Sequence, residues 1–135
     1  MQPQFALSQC VVINEILVNP IGSDGVPPNS GEWIELYNTC PSAADIGCMI
    51  LGDGDFTLTI PSGTVLPAFE VYTIGSGLNG LVPDLNWNTC NCSSSLVQTG
   101  SFTDGAEQIF LLDNTGNLQS GVYWGGGSFP ALITS

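Results

Sequence analysis

The chain has no lysine, no arginine and no histidine among its 135 residues. Each absence removes a class of function. Without basic side chains nothing displaces counterions from a phosphate backbone, so binding to nucleic acid or to an anionic membrane is disfavoured. Without histidine the commonest general base and the commonest transition-metal ligand are gone. Neither a Ser-His-Asp nor a Cys-His arrangement can form within the chain. No apolar run is long enough to span a bilayer as a helix. No basic segment leads into an apolar one, so no signal peptide is recognisable. An exported chain of this kind would be a mature form or a piece of a longer precursor. Apolar residues at three- and four-residue spacing do not persist for two helical turns, and no internal repeat of fixed period is found.

What is present is acidic, apolar and rich in turns. Twelve Asp and Glu give a formal net charge of -12, spread along the chain rather than blocked. This reads as a solvated acidic surface, balanced by calcium or by a cationic partner. The 43% of hydrophobic residues argues against disorder, and the length suits one domain with a core. Seventeen Gly and nine Pro fall between apolar runs without a strict period, which signals many turns. Five cysteines are many for a cytosolic domain of this size and favour an oxidising compartment. Two disulfides and one spare thiol are expected. The disulfide candidates are Cys40, Cys48, Cys90 and Cys92. Cys40 with Cys48 is the short closure, and crossed pairs to Cys90 or Cys92 are equally open. Cys10 is left as a free or intersubunit thiol.

The apolar runs are five to nine residues long with turn residues between them, the spacing of an all-β sandwich or barrel. Cys10 to Val18 is a first strand, interrupted at Asn14-Glu15. Glu32 to Asn38 alternates, with Ile34 and Leu36 on one face and Trp33, Glu35 and Tyr37 on the other. Asp45 to Leu51 reads as a third strand and Phe56 to Ile60 as a fourth. A turn region runs from Pro61 to Pro67, and Phe69 to Ile74 is a fifth strand. From Gly75 to Gly100 the pattern weakens into loops pinned by Leu81, Leu85, Trp87 and Leu96. Glu107 to Leu112 and Asn117 to Trp124 make a hairpin about the turn Asp113-Asn114-Thr115-Gly116.

Four segments together carry a resemblance: INEILVNP at Ile13 to Pro20, GEWIELYN at Gly31 to Asn38, DIGCMILGDGDFTLTIPSGTVLPAFEVYTIG from Asp45 to Gly75, and EQIFLLDNTG at Glu107 to Gly116. In this order they resemble the lamin tail domain family, in particular its bacterial secreted and surface type. The cysteine positions resemble a subgroup of exported proteins from gliding-type bacteria. The resemblance implies an immunoglobulin-like β-sandwich that is not an enzyme. In bacteria such modules accompany nucleases, phosphatases, adhesins and sorting domains, and in nuclear lamins the fold is a filament tail that binds partners. Residues 10–127 would form the domain, with an extension at 1–9 and a tail at 128–135. One departure stands out. Family members commonly carry Gly-Gly or Gly-Gln where this chain has Phe69-Glu70, which puts the form of that turn in question.

The candidate sites are few. Asp53 and Asp55, two apart in a Gly-flanked turn, could both reach one hard cation such as calcium, although Asp-Gly is also ordinary turn chemistry. Asp104, Glu107 and Asp113 form a weaker set, and Asp24 stands alone. Glu15 and Glu35 could pair as acid and base in glycoside hydrolysis, but both belong to the motif of a non-catalytic family. Trp33, Tyr37, Trp87 and Trp124 are the binding-surface candidates: on a wet sandwich face they can stack on sugars or anchor a partner chain, although one or two such rings more often seal the end of the core. Two functions follow as expectations. The first is a structural or interaction module of an exported protein, with a protein partner, a homo-oligomer or a polymer such as a surface fibre. The second is a calcium- or carbohydrate-dependent adhesion module. The absence of Lys and Arg also denies trypsin-like proteases a cleavage site, which suits a durable exposed polymer.

Overall fold

The computed structural model describes residues 10–17, 33–52, 57–75, 82–87 and 107–124. They form ten β-strands in three sheets. The strands are β1 (Val11–Leu17), β2 (Trp33–Asn38), β3 (Ala44–Asp45), β4 (Ile50–Gly52), β5 (Thr57–Thr59), β6 (Val65–Leu66), β7 (Val71–Gly75), β8 (Leu85–Asn86), β9 (Glu107–Leu112) and β10 (Leu118–Trp124). One four-stranded sheet has the order β1-β2-β7-β8, the second the order β10-β9-β4-β5, and β3 pairs with β6 in a short ribbon. All pairings are antiparallel except β7 with β8. The architecture is an immunoglobulin-like sandwich.

The alternation in β2 dictates how the first sheet faces. Ile34 and Leu36 are fully buried, while Trp33, Glu35 and Tyr37 lie on the outer face, half-buried. From the second sheet Leu51, Leu58, Ile109 and Leu111 close the core against them. Burying such side chains contributes roughly 1.5–3 kcal/mol each before conformational entropy is counted. Phe110 points the other way. Its register partners on both sides, Gly52 and Gly121, are glycines, and its ring is buried outside the main core cluster. An aromatic side chain beside strand glycines supplies apolar contact that the glycines lack.

The first strand carries a phase error that the structure resolves. Val11 and Ile13 face inward two residues apart, and the next inward residue is Ile16, three further on. A β-bulge between Ile13 and Glu15 absorbs the extra residue. This explains the polar interruption at Asn14-Glu15, where both residues are exposed. A second bulge lies in β10 between Leu118 and Ser120. The two bulged strands adjoin, and the Ile13 N–H donates to Ser120 Oγ at 2.9 Å. That contact ties the sheets together at one edge of the sandwich.

The expected third strand, Asp45 to Leu51, is instead broken in two. A tight turn at Ile46–Met49, closed by a hydrogen bond from the Met49 N–H to the Ile46 carbonyl at 3.2 Å, divides β3 from β4 and sends them to different sheets. Gly47 permits this. A Cβ there would lie 2.8 Å from the Gly63 nitrogen, so two backbone turns meet at a distance only glycine tolerates. The expected turn region from Pro61 to Pro67 contains the short strand β6, and the strand expected from Phe69 begins at Val71. Phe69 lies in the turn Pro67–Glu70, closed at 3.2 Å, with φ 58°. A positive φ at the third position defines a type II geometry that favours Gly or Asn. The turn keeps its form although Phe occupies that position.

Asn38 fastens this corner. It is fully buried, and its side-chain amide donates to the carbonyls of Ser42 at 2.8 Å, Leu66 at 3.1 Å and Pro67 at 3.2 Å. Its Oδ1 accepts the Cys40 N–H at 3.0 Å. One side chain thereby joins the end of β2 to β6 and to the turn that carries Phe69. Tyr72, inward on β7, has its phenol raised above the ordinary tyrosine value by burial and by the charge of Asp84, against a lowering hydrogen bond with Thr64.

Candidate functional site

The outer face of the first sheet gathers the side chains that can meet a partner. Register arranges them in rows across the strands. Val12, Tyr37 and Val71 form one row. Glu15, Glu35 and Thr73 form the next. Leu17, Trp33 and Gly75 form the third. Rows two residues apart along a strand are separated by about 7 Å. An acidic row therefore lies between two apolar rows, each holding one aromatic ring.

Local hydrogen bonds shape the middle row. The bulge residue Asn14 donates its side-chain amide to Glu35 Oε1 at 2.8 Å. At the other end Asp84 Oδ2 accepts from the Thr73 N–H at 2.8 Å and from Thr73 Oγ1 at 3.2 Å. Asp84, just before β8, thus extends the row with a third carboxylate. Glu15 and Glu35 sit directly opposite one another, an arrangement that destabilises a sheet by charge repulsion.

Beside this face stands an exposed apolar corner. Val71 is 44% exposed, and Phe69 and Val65 are each 57% exposed. Val71 shares a row with Tyr37 and links the corner to the sheet face.

Two of the expected binding-surface aromatics, Trp33 and Tyr37, are brought together here, four residues apart on one strand face. Trp87 is not. It is 0% exposed, and this corrects its assignment to a binding surface. Leu85 and Trp87 alternate inward from β8, and the large ring fills the core, where its apolar area is worth most. Trp124 ends β10 opposite Glu107 in register, and its side chain lies outside the described residues.

The cysteines also need correcting. Cys10 is neither a free thiol nor an intersubunit link: it forms a disulfide with Cys40, their Cα atoms 5.3 Å apart. Antiparallel register places Val11 opposite Asn38, so Cys10 comes opposite Thr39, with Cys40 the next residue along. The Thr39 N–H and hydroxyl both donate to the Cys10 carbonyl at 2.8 Å and hold the crossing in place. Among the described residues Cys48 is instead a free, exposed thiol, in the turn Ile46–Met49. Cys90 and Cys92 lie outside the described residues, as do Asp53, Asp55, Asp24 and Asp104.

Among the described residues no group of three or more Cys, Asp or Glu is arranged to hold a metal ion, and no helix is long and apolar enough to cross a membrane. Asp113 is committed to its own turn. Its Oδ1 accepts the N–H groups of Thr115 and Asn117, each at 2.9 Å, and the Thr115 hydroxyl at 2.7 Å.

A family model described as the Lamin Tail Domain matches residues 6–126. The chain belongs to this family. The match takes in both sheets of the sandwich and the whole outer face described above. The lamin tail domain is a non-enzymatic, immunoglobulin-like, protein-interaction fold. No curated protein sequence matches the chain. Sequence reasoning located Trp33 and Tyr37 and named Glu15 with Glu35 as paired carboxylates, but did not place that pair in a row between the two rings. The signal was present as the three-residue step from Ile13 to Ile16, which implies a bulge and sets that register.

Proposed function

We propose that this chain is a structural and interaction module of an exported bacterial protein, and that it meets its partner with the outer face of the β1-β2-β7-β8 sheet. The observation that carries the reading is the row arrangement on that face, with Trp33 and Tyr37 presented outward and Val71 and Phe69 exposed beside them. Aromatic side chains flanked by polar groups are the usual anchors of protein interfaces. The Cys10–Cys40 disulfide supports an oxidising, extracellular or cell-surface setting.

Docking on the face is favoured over strand addition at an edge. Among the described residues, β5 and β8 are the outer strands away from the β1/β10 junction and have three and two residues. Such short strands offer an added strand little ladder to pair with. Self-assembly into a surface fibre would bring chains of the same charge together, which makes a different protein the better partner.

The test uses the native exported material. Trp33→Ala/Tyr37→Ala should fold, since both side chains point outward, and should release the chain from the surface or complex that holds it. Retention equal to that of the unaltered chain would remove the reading. Sedimentation of the chain alone separates a monomer from a self-assembling subunit. The same aromatics could stack on sugar rings, so glycan-array binding lost with Trp33→Ala would favour the adhesion reading.

A further inference from the structure

We infer that the row of Glu15 and Glu35, between Tyr37 and Trp33, receives a Lys- or Arg-bearing extended segment of a partner protein, an inference that rests on the interaction reading above. Two carboxylates directly opposite each other repel. Asn14 asks only for a hydrogen-bond acceptor at Glu35, which a neutral amide oxygen would supply equally well. The repulsion therefore stabilises nothing within the domain. No side chain can neutralise it, because the chain has no Lys, Arg or His. A cation held at this row would therefore be a partner's, and it would offset the repulsion.

The surroundings select the form of that charge. Tyr37 and Trp33 lie two residues either side of Glu35, one in each flanking row. An ammonium or guanidinium group held over Glu35 comes within about 6–7 Å of both rings, near the range of cation–π attraction. The aliphatic stem of the same side chain can lie along Val12, Val71 or Leu17, since long basic side chains cover apolar surface while keeping the charge exposed. Asp84 lengthens the acidic row toward β8, so an extended segment crossing the strands meets carboxylates along its path. A second copy does not fit this site. It would bring four facing glutamates together with no cation between them. The net charge of -12 adds long-range attraction for a basic partner.

The test uses the full chain, an eight-residue peptide alternating Arg with Thr, and a counterpart with Gln in place of Arg. The Arg peptide should bind and the Gln peptide should not. Backbone NMR shifts should cluster at residues 12–15, 33–37 and 71–73. Glu15→Gln/Glu35→Gln should weaken binding about tenfold with an unchanged or higher melting temperature, since it removes a repulsion. Asp45→Asn/Glu70→Gln, which removes the same charge elsewhere, should weaken it less than about twofold. Equal losses from the two double variants, shifts scattered over the surface, or no binding of the Arg peptide would each overturn the inference. Native attachment separates it from the broader reading. Attachment lost with Trp33→Ala/Tyr37→Ala but insensitive to Glu15→Gln/Glu35→Gln leaves an interaction surface whose partner is not cationic. Attachment insensitive to both removes both proposals.

Discussion

At the scale of single residues, two kinds of position decide stability: a buried polar group that is fully used, and non-glycine residues at positive φ. Asn38 is the first kind. Asn38→Ala would strand the buried Leu66 carbonyl, the part-buried carbonyls of Ser42 and Pro67 and the Cys40 N–H, and should cost about 2 kcal/mol in denaturant unfolding. Asn38→Asp should be worse at neutral pH, because a carboxylate would face three carbonyl oxygens. Part of that loss should return as the carboxyl protonates in acid, and a loss independent of pH would refute this account. Cys48 and Phe69 are the second kind, at φ 67° and 58°. Gly63 occupies the same position in the turn Pro61–Thr64, at φ 85°. Cys48→Gly should therefore raise stability by about 0.5–1 kcal/mol, the left-handed penalty less the entropy cost of glycine. Phe69→Gly should gain less, because it also loses the buried part of the ring. A lower melting temperature for Cys48→Gly would show that the turn carries no such strain.

At the scale of elements, the β9–β10 hairpin was legible from the chain because its determinants are local. The Gly116 N–H bonds the Asp113 carbonyl at 3.1 Å, and the Asp113 N–H bonds the Asn117 carbonyl at 2.8 Å. The Asp113 carboxyl is raised by burial but lowered more by its bonds with Thr115 and Asn117, and ends below the ordinary value. A carboxylate with a depressed folded pKa contributes stability that is present above its unfolded value near 4 and lost as pH falls through the folded value. Asp113→Asn should therefore lower stability at neutral pH and flatten the decline in acid. Equal acid sensitivity in both proteins would count against the turn as its source. By contrast, the break between β3 and β4 was not legible. Asp45 to Leu51 reads as one strand, and the turn within it depends on Gly47 meeting the backbone at Gly63, a contact sixteen residues away in sequence.

At the scale of the whole molecule, the disulfide closes a 30-residue separation from the start of β1 to the end of β2. The β1–β2 register already brings its ends together in the folded chain, so the bond restricts the unfolded chain more than the folded one. The chain-entropy estimate for a loop of this size is about 3–4 kcal/mol. Cys10→Ser/Cys40→Ser, or the reduced protein, should unfold at correspondingly lower denaturant concentration, with the Trp33 and Tyr37 surface still formed in what remains folded. An unchanged midpoint would show that the register of β1 with β2 holds without the bond. A reductant would therefore act on this domain through its stability.

The chain by itself determined the all-β class, the facing of β2, the hairpin after Leu112 and the family, because alternation and turn chemistry act between neighbours. It also determined that no side chain is cationic, which is a matter of composition. Tertiary structure alone decided that Cys10 pairs with Cys40, that Trp87 belongs to the core, and that Glu15 confronts Glu35. Each depends on which strands lie side by side and in what register. The bulge leaves a local trace in the three-residue step from Ile13 to Ile16, but the pairing of strands and the burial of one sheet face against another are long-range effects that no short stretch of sequence contains.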